Sequence, residues 1–122
     1  MAELVFEDGF CGTYTIGEQT LAIGYDAIRP YDMTFGALAA CLYSTFTELA
    51  KEAGITLKRG VVQAEGRKRR TVPSTLEYVK LRVHVEADAE RHELKRIFDD
   101  ALEKCSMAAT IRMVAELDAS LV

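Results

Sequence analysis

One segment, residues 35–53, constrains the fold more than any other part of the chain. Its apolar side chains recur at steps of three and four residues, which predicts one long helix. They are Phe35, Leu38, Ala39, Leu42, Phe46, Leu49, Ala50 and Ala53. Gly54 follows as a common residue at a helix end, and either Asp32 or Thr34 can cap the start.

The first half of this helix is rich in small residues. Glycine and alanine occupy several of its faces, at positions 36, 37, 39 and 40. Small side chains let other backbone come close. We therefore expect this half to be buried on all sides and the segment to be the central helix of the fold.

Short extended segments precede the helix. Turn-forming pairs, Asp8-Gly9 and Gly17-Glu18, separate three apolar runs. The runs are residues 3–7, 13–16 and 21–25. This arrangement predicts a hairpin or a small meander of strands.

A long hairpin and a second helix follow. The predicted segments are strands over 56–65 and 76–87, a helix over 89–104, a short helical stretch through Ile111 and a last strand over 115–121. In the second strand apolar and polar residues alternate, which indicates an antiparallel strand with one solvated face. Asp88 can cap the second helix. The order β-β-β-α-β-β-α-β predicts a single α+β domain over residues 1–122.

The charge and the apolar runs of the sequence argue against a nucleic-acid partner, a membrane span and a signal peptide. Lysine and arginine number 15 against 19 acidic residues, for a net charge of −4, which argues against a nucleic-acid partner. No apolar run approaches the roughly 18 residues of a membrane span. Acidic residues in the first 20 positions do not fit a signal peptide, so we expect a cytoplasmic protein.

No metal or cofactor is predicted. His84 and His92 show no spacing with the cysteines that would form a tetrahedral metal site, and both are expected at the surface. The chain contains no glycine-rich phosphate loop and no nucleotide-binding fingerprint.

Three cysteines are the main candidates for chemistry. Cys41 and Cys105 fall on the two predicted helices, and Cys11 falls in an exposed turn region where we expect it to be incidental. Each helical cysteine alone is commonly a small buried hydrophobe. If the helices pack so that the two sulfurs meet, the pair becomes a redox centre, provided that the α-carbons lie within about 7 Å.

The basic run at residues 67–70 has two interpretations. It is either a solvated hairpin tip or a source of an arginine that folds over a thiol and lowers its pKa.

Two segments resemble the motifs of a known family. Residues 30–41, Pro-Tyr-Asp-Met-Thr-Phe-Gly-Ala-Leu-Ala-Ala-Cys, resemble the central-helix motif of the OsmC/Ohr superfamily, the osmotically inducible and organic hydroperoxide resistance proteins. Residues 104–107, Lys-Cys-Ser-Met, resemble the second cysteine motif. The resemblance implies antiparallel sheets around a cysteine-bearing central helix in an intertwined homodimer with its site at the interface.

The resemblance also implies a reaction. Cys41 matches the peroxidatic cysteine and Cys105 the resolving cysteine of a peroxidase that reduces organic hydroperoxides. The two would form an intramolecular disulfide that an external dithiol reduces. A pocket of alanines and aromatic residues would favour organic hydroperoxides over hydrogen peroxide.

The chain departs from the family pattern around these cysteines. Tyr31 stands where the peroxidases have a glutamate, with Asp32 next to it. The family's peroxidases have an arginine in the N-terminal strand-turn region. Here the first arginine of the chain is Arg29, which comes after the predicted N-terminal strands. Ser106 replaces the proline after the second cysteine. We consider Tyr31, Asp32 and Arg29 as supporting residues of the site.

Two other functions remain open from the sequence. The first is a protein of the same fold without peroxidase activity that binds a small apolar or thiol-reactive ligand at the dimer interface. The second is a redox sensor in which a Cys41–Cys105 disulfide changes a partner contact.

Overall fold

The computed structural model describes residues 1–122 as six strands and three helices. In chain order they are β1 (Ala2–Phe6), β2 (Cys11–Ile16), β3 (Gln19–Gly24), α1 (Pro30–Glu52), β4 (Leu57–Lys68), β5 (Leu76–Ala87), α2 (Arg91–Lys104), α3 (Ser106–Arg112) and β6 (Glu116–Leu121). This confirms the α+β class and the predicted order of elements, with the short helical stretch present as α3. None of the helices is long and apolar enough to cross a membrane. The chain forms two compact units, residues 1–34 and 35–122.

The first unit is built on a three-stranded antiparallel sheet in the order β1-β2-β3. Its turns contain Gly9 and Gly17, both with positive φ, as the predicted meander requires. Most of its side chains are exposed. The large apolar ones are Leu4, Val5, Phe6, Ile16 and Leu21. This sheet therefore leaves apolar surface uncovered in the single chain.

Helix α1 begins five residues earlier than predicted. Pro30 is its first residue, a position that suits proline because the first amide of a helix has no intrahelical acceptor. The Asp32 carboxylate accepts a hydrogen bond of 3.0 Å from the Arg29 backbone N–H. The Thr34 hydroxyl donates to the Pro30 carbonyl, so it lies inside the helix and does not cap it. The prediction of a helix start at Phe35 was wrong because the apolar spacing begins there, whereas the first turn of the helix is formed by Pro30 and the residues directly after it.

The second unit contains a sheet in the order β4-β5-β6. Strands β4 and β5 form an antiparallel hairpin, and β6 pairs parallel to β5. Parallel neighbours need a crossover connection, which α2 and α3 supply. Val79, Leu81 and Val83 of β5 are buried in alternation, as the sequence pattern predicts, and Leu76 at the start of the strand is buried as well.

The core of this unit joins both long helices to the sheet. Phe46 of α1 and Phe98 of α2 meet edge to face, with their ring centroids 5.5 Å apart. The other fully buried large side chains are Leu38, Leu42, Leu81, Val79, Val83 and Cys105. Burial of such side chains is the main stabilising contribution to the unit.

Two details of the helices differ from the predictions. Asp88 does not cap α2, because its carboxylate accepts a hydrogen bond of 2.6 Å from the Lys58 ammonium and the helix begins at Arg91. The first half of α1 is not buried on all sides. Gly36, Ala37 and Ala40 are exposed in the single chain, and Leu38 alone is fully buried among its neighbours.

Aromatic side chains of α1 lie directly over glycines of β4. A β-carbon on Gly60 would overlap the Tyr43 ring, and one on Gly66 would overlap the Phe35 ring. The absence of side chains at these two glycines therefore sets the close approach of α1 to the strand.

Gly60→Ala is expected to lower the free energy of unfolding by about 1–3 kcal/mol, the usual cost of overpacking. The Tyr43 ring would have to move out of its position against β4. The urea midpoint of unfolding measures the change. Gly36→Ala is the matched control, because its added β-carbon meets nothing within 4 Å and alanine favours a helix. Equal midpoints for the two variants would show that Tyr43 moves aside without cost.

Candidate active site

Cys41 lies in the middle of α1, beside the stripe of the fully buried Leu38, Leu42 and Phe46 and not within it. It is half-buried. The Thr45 hydroxyl donates a hydrogen bond of 3.0 Å to the Cys41 carbonyl one turn back. The helix thus holds the Cys41 backbone while its thiol stays accessible.

Cys105 lies between two helices. Prediction placed it on the apolar stripe at the end of the second helix, whereas in the structure it ends α2 and begins α3 with an extended backbone. Its Sγ accepts a hydrogen bond of 3.4 Å from the Ala108 N–H, so the sulfur caps α3. The side chain is fully buried.

The two sulfurs meet. Cys105 Sγ donates to Cys41 Sγ at a distance of 3.4 Å, and both residues are free thiols. A disulfide bond is about 2.05 Å long, so only a small closing movement separates this dithiol from a bond. The structure therefore brings together the two cysteines that the sequence singled out.

The surroundings shift the pKa values of the two thiols in opposite directions. The Met107 backbone N–H makes the largest contribution to the lowered pKa of Cys41. Burial opposes it, and hydrogen bonds from the Cys105 thiol and from Ser106 add smaller contributions that leave the pKa below its ordinary value. Burial raises the pKa of Cys105, and a thiolate at Cys41 raises it further. As pH rises, Cys41 therefore deprotonates first, while Cys105 remains a thiol that can donate a hydrogen bond to it.

Two of the three arginines of the basic run, Arg67 and Arg69, contact groups of the hairpin. Arg67 pairs with Glu77 at 3.1 Å and its guanidinium lies over the Tyr78 ring. Arg69 donates to the Leu76 carbonyl and, at 2.9 Å, to the Val114 carbonyl. Neither Arg67 nor Arg69 supports the interpretation that an arginine of this run covers a thiol. Both side chains are held by neighbours in the hairpin or by the turn before β6.

The supporting residues considered from the sequence lie at the start of α1. The Arg29 guanidinium donates to the Tyr25 carbonyl at 3.2 Å, and the Asp32 carboxylate is held by the Arg29 backbone. Tyr31 is the second residue of the helix and is half-buried. These contacts give Arg29 and Asp32 a role in starting the helix.

Sequence reasoning missed one contact of the site. Ser106, noted only as a departure from the family pattern, has its Oγ 3.7 Å from Cys41 Sγ. Its position directly after Cys105 was the available signal, because a residue adjacent to Cys105 lies near the groups that Cys105 contacts. Cys11 is exposed on β2, and His84 and His92 are exposed as expected. No group of three or more histidine, cysteine or acidic side chains is arranged to hold a metal ion.

Comparisons with known proteins identify the family through one family model and the fold through solved structures. A family model described as OsmC-like protein matches residues 24–119. No curated protein sequence matches the chain. Among solved structures, the OsmC-like protein from Mycoplasma pneumoniae is 15% identical with a TM-score of 0.88, covering 100% of this chain and 94% of that one.

Two structures of hydroperoxide resistance proteins are also similar in fold. The organic hydroperoxide resistance protein OhrB of Bacillus subtilis is 18% identical with a TM-score of 0.75, covering 100% of this chain and 98% of that one. An organic hydroperoxide resistance protein from Legionella pneumophila is 19% identical with a TM-score of 0.77, covering 99% and 94%. At this identity the likeness shows the fold.

Proposed function

Because this chain belongs to the OsmC-like protein family, we propose that it is a thiol-dependent peroxidase that reduces organic hydroperoxides through Cys41 and Cys105. One observation carries the proposal. The two sulfurs lie 3.4 Å apart, and the surroundings lower the pKa of one thiol and raise that of the other. This division suits a pair in which one member attacks first and the other resolves.

In the first step the Cys41 thiolate attacks the terminal, hydrogen-bearing oxygen of the hydroperoxide. The O–O bond breaks, the sulfur is oxidised to a sulfenic acid, and the alkoxide leaves and takes a proton to become an alcohol. The lowered pKa of Cys41 supports this step, since the thiolate is the nucleophile. The exposed alanines at positions 37 and 40, on the same helix, offer apolar surface for an alkyl group.

In the second step the Cys105 sulfur attacks the Cys41 sulfur. The S–O bond breaks, a disulfide forms, and the departing hydroxide takes the Cys105 proton to become water. An external dithiol then reduces the disulfide and returns both thiols. The short distance between the sulfurs supports resolution within one chain.

We also propose that the protein acts as a homodimer, as the family resemblance implies. The sheet of the first unit supports this, because it exposes Val5, Phe6 and Ile16 by 45–52% each in the single chain. Apolar surface of this kind commonly marks an interface.

Thiol counting tests the peroxidase directly. One equivalent of cumene hydroperoxide is expected to remove two free thiols, those of Cys41 and Cys105, within seconds to minutes, while Cys11 stays free. Mass spectrometry of trapped thiols, assigned by peptide, measures each residue. A chain that keeps all three thiols after minutes would contradict the proposal.

A ligand-binding protein without peroxidase activity is the second candidate. Tyr31 in place of the family's glutamate favours it, together with the engagement of Arg29 by the Tyr25 carbonyl. In that case an apolar ligand would raise the melting temperature of Cys41→Ser as much as that of the parent chain.

A further inference from the structure

Ser106 contacts the sulfur on which the proposed function depends. It is the first residue of α3, its side chain is exposed, and its Oγ is 3.7 Å from Cys41 Sγ. The preceding residue, Cys105, contacts the same sulfur at 3.4 Å. The Cys41 sulfur therefore faces donors from three consecutive residues, 105–107.

We propose that Ser106 is a catalytic residue of this chain, whose hydroxyl donates a hydrogen bond to the Cys41 thiolate and holds it ready to attack. The inference rests on the proposed function, because that function makes Cys41 the nucleophile. A hydroxyl has one hydrogen to donate, and a thiolate can only accept, so the direction of the bond is fixed once Cys41 is ionised.

Serine brings two donors that proline lacks. Its hydroxyl lies 3.7 Å from Cys41 Sγ and its backbone N–H adds a smaller lowering of the Cys41 pKa, whereas proline has neither group. The chain thus places donors at the position where the family motif has proline. Cys105 is the titratable group in contact with the Cys41 sulfur, and it stays neutral while Cys41 ionises. Because Cys105 is neutral, it adds no charge to the surroundings of the Cys41 thiolate. The stabilisation of that thiolate by Ser106 can therefore be measured by itself.

Three variants separate the donors. Ser106→Ala removes the hydroxyl alone. Ser106→Pro removes the hydroxyl and the N–H while fitting the first position of a helix, so α3 is retained. Ser106→Thr keeps a hydroxyl. Thr110→Ala is the matched control, because it removes another hydroxyl of α3, which donates to the Ser106 carbonyl and does not contact Cys41.

The readout is the rate of Cys41 alkylation by iodoacetamide as a function of pH, followed by peptide mass spectrometry. The midpoint of the profile is expected to rise by about half a unit to one unit in Ser106→Ala and further in Ser106→Pro. Ser106→Thr and Thr110→Ala should keep the parent midpoint. The rate with cumene hydroperoxide at pH 7 should fall about threefold to tenfold in Ser106→Ala.

Alkylation does not require turnover, so the two proposals fail separately. A parent chain that alkylates normally at Cys41 but consumes no hydroperoxide would overturn the proposed function. An unchanged midpoint in Ser106→Ala would overturn the inference about the Ser106 hydroxyl, whatever the peroxide result, and a midpoint that changes only in Ser106→Pro would assign the effect to the backbone N–H. Failure of Ser106→Thr to restore the parent profile would show that shape, and not the hydroxyl, determines the effect.

Discussion

Cys41→Ser is expected to reduce the consumption of cumene hydroperoxide to the rate of buffer alone. A serine hydroxyl at this position stays protonated near neutral pH and cannot form a sulfenic acid, so the first step is lost and not merely slowed. The fold should survive, because Cys41 is half-buried and serine can still accept from the groups at residues 105–107. A ferrous xylenol orange assay of remaining hydroperoxide measures the loss.

Cys11→Ser is the control for this variant, since Cys11 is exposed on β2 in the first unit. It should keep the activity of the parent chain. An unfolding midpoint for Cys41→Ser close to that of the parent chain would show that the loss is chemical. Retention of more than a tenth of the parent rate in Cys41→Ser would assign the peroxidatic role to another group.

Cys105→Ser is expected to react once and then stop. Cys41 should still attack, giving a burst of about one equivalent of hydroperoxide consumed, but no second sulfur is present to form the disulfide. The protein then accumulates as the sulfenic acid, which dimedone traps as a mass adduct on Cys41. Serine can still accept the Ala108 N–H, so the start of α3 is preserved.

The assigned roles require that Cys41→Ser and Cys105→Ser differ in how they react with hydroperoxide. A dimedone adduct in Cys105→Ser, with none in Cys41→Ser, is the expected pattern. Equal and modest losses of activity in both would contradict the division into attacking and resolving thiols, and would indicate that neither sulfur acts alone on the peroxide.

The fold was predictable from local patterns to differing degrees. Alternation of apolar and polar residues predicted β5 with the bounds that the structure has, because one face of that strand is buried and the other is not. The start of α1 was not predictable in the same way. Pro30 is compatible both with a break before a helix and with the first position of one, and the structure shows the second, with the Met33 N–H bonded to the Arg29 carbonyl and the Arg29 N–H bonded to the Asp32 carboxylate.

The contact between the two cysteines of the active site could not be predicted from local patterns in the sequence. Cys41 and Cys105 are 64 residues apart, and their contact results from how α1 packs against the α2–α3 junction. Apolar spacing continues smoothly through Cys105, so nothing in the pattern indicates that the backbone leaves the helix there. The resemblance to a family supplied the pairing, and the contact of Ser106 with Cys41 likewise depends on how the start of α3 packs against α1.

One atom of Cys105 makes two contacts that belong to different levels of the structure. The same sulfur caps α3 through the Ala108 N–H and lies 3.4 Å from the Cys41 sulfur. The start of α3 therefore fixes where the Cys105 sulfur lies beside Cys41. The seven residues of this helix are thus part of the framework that positions the two sulfurs.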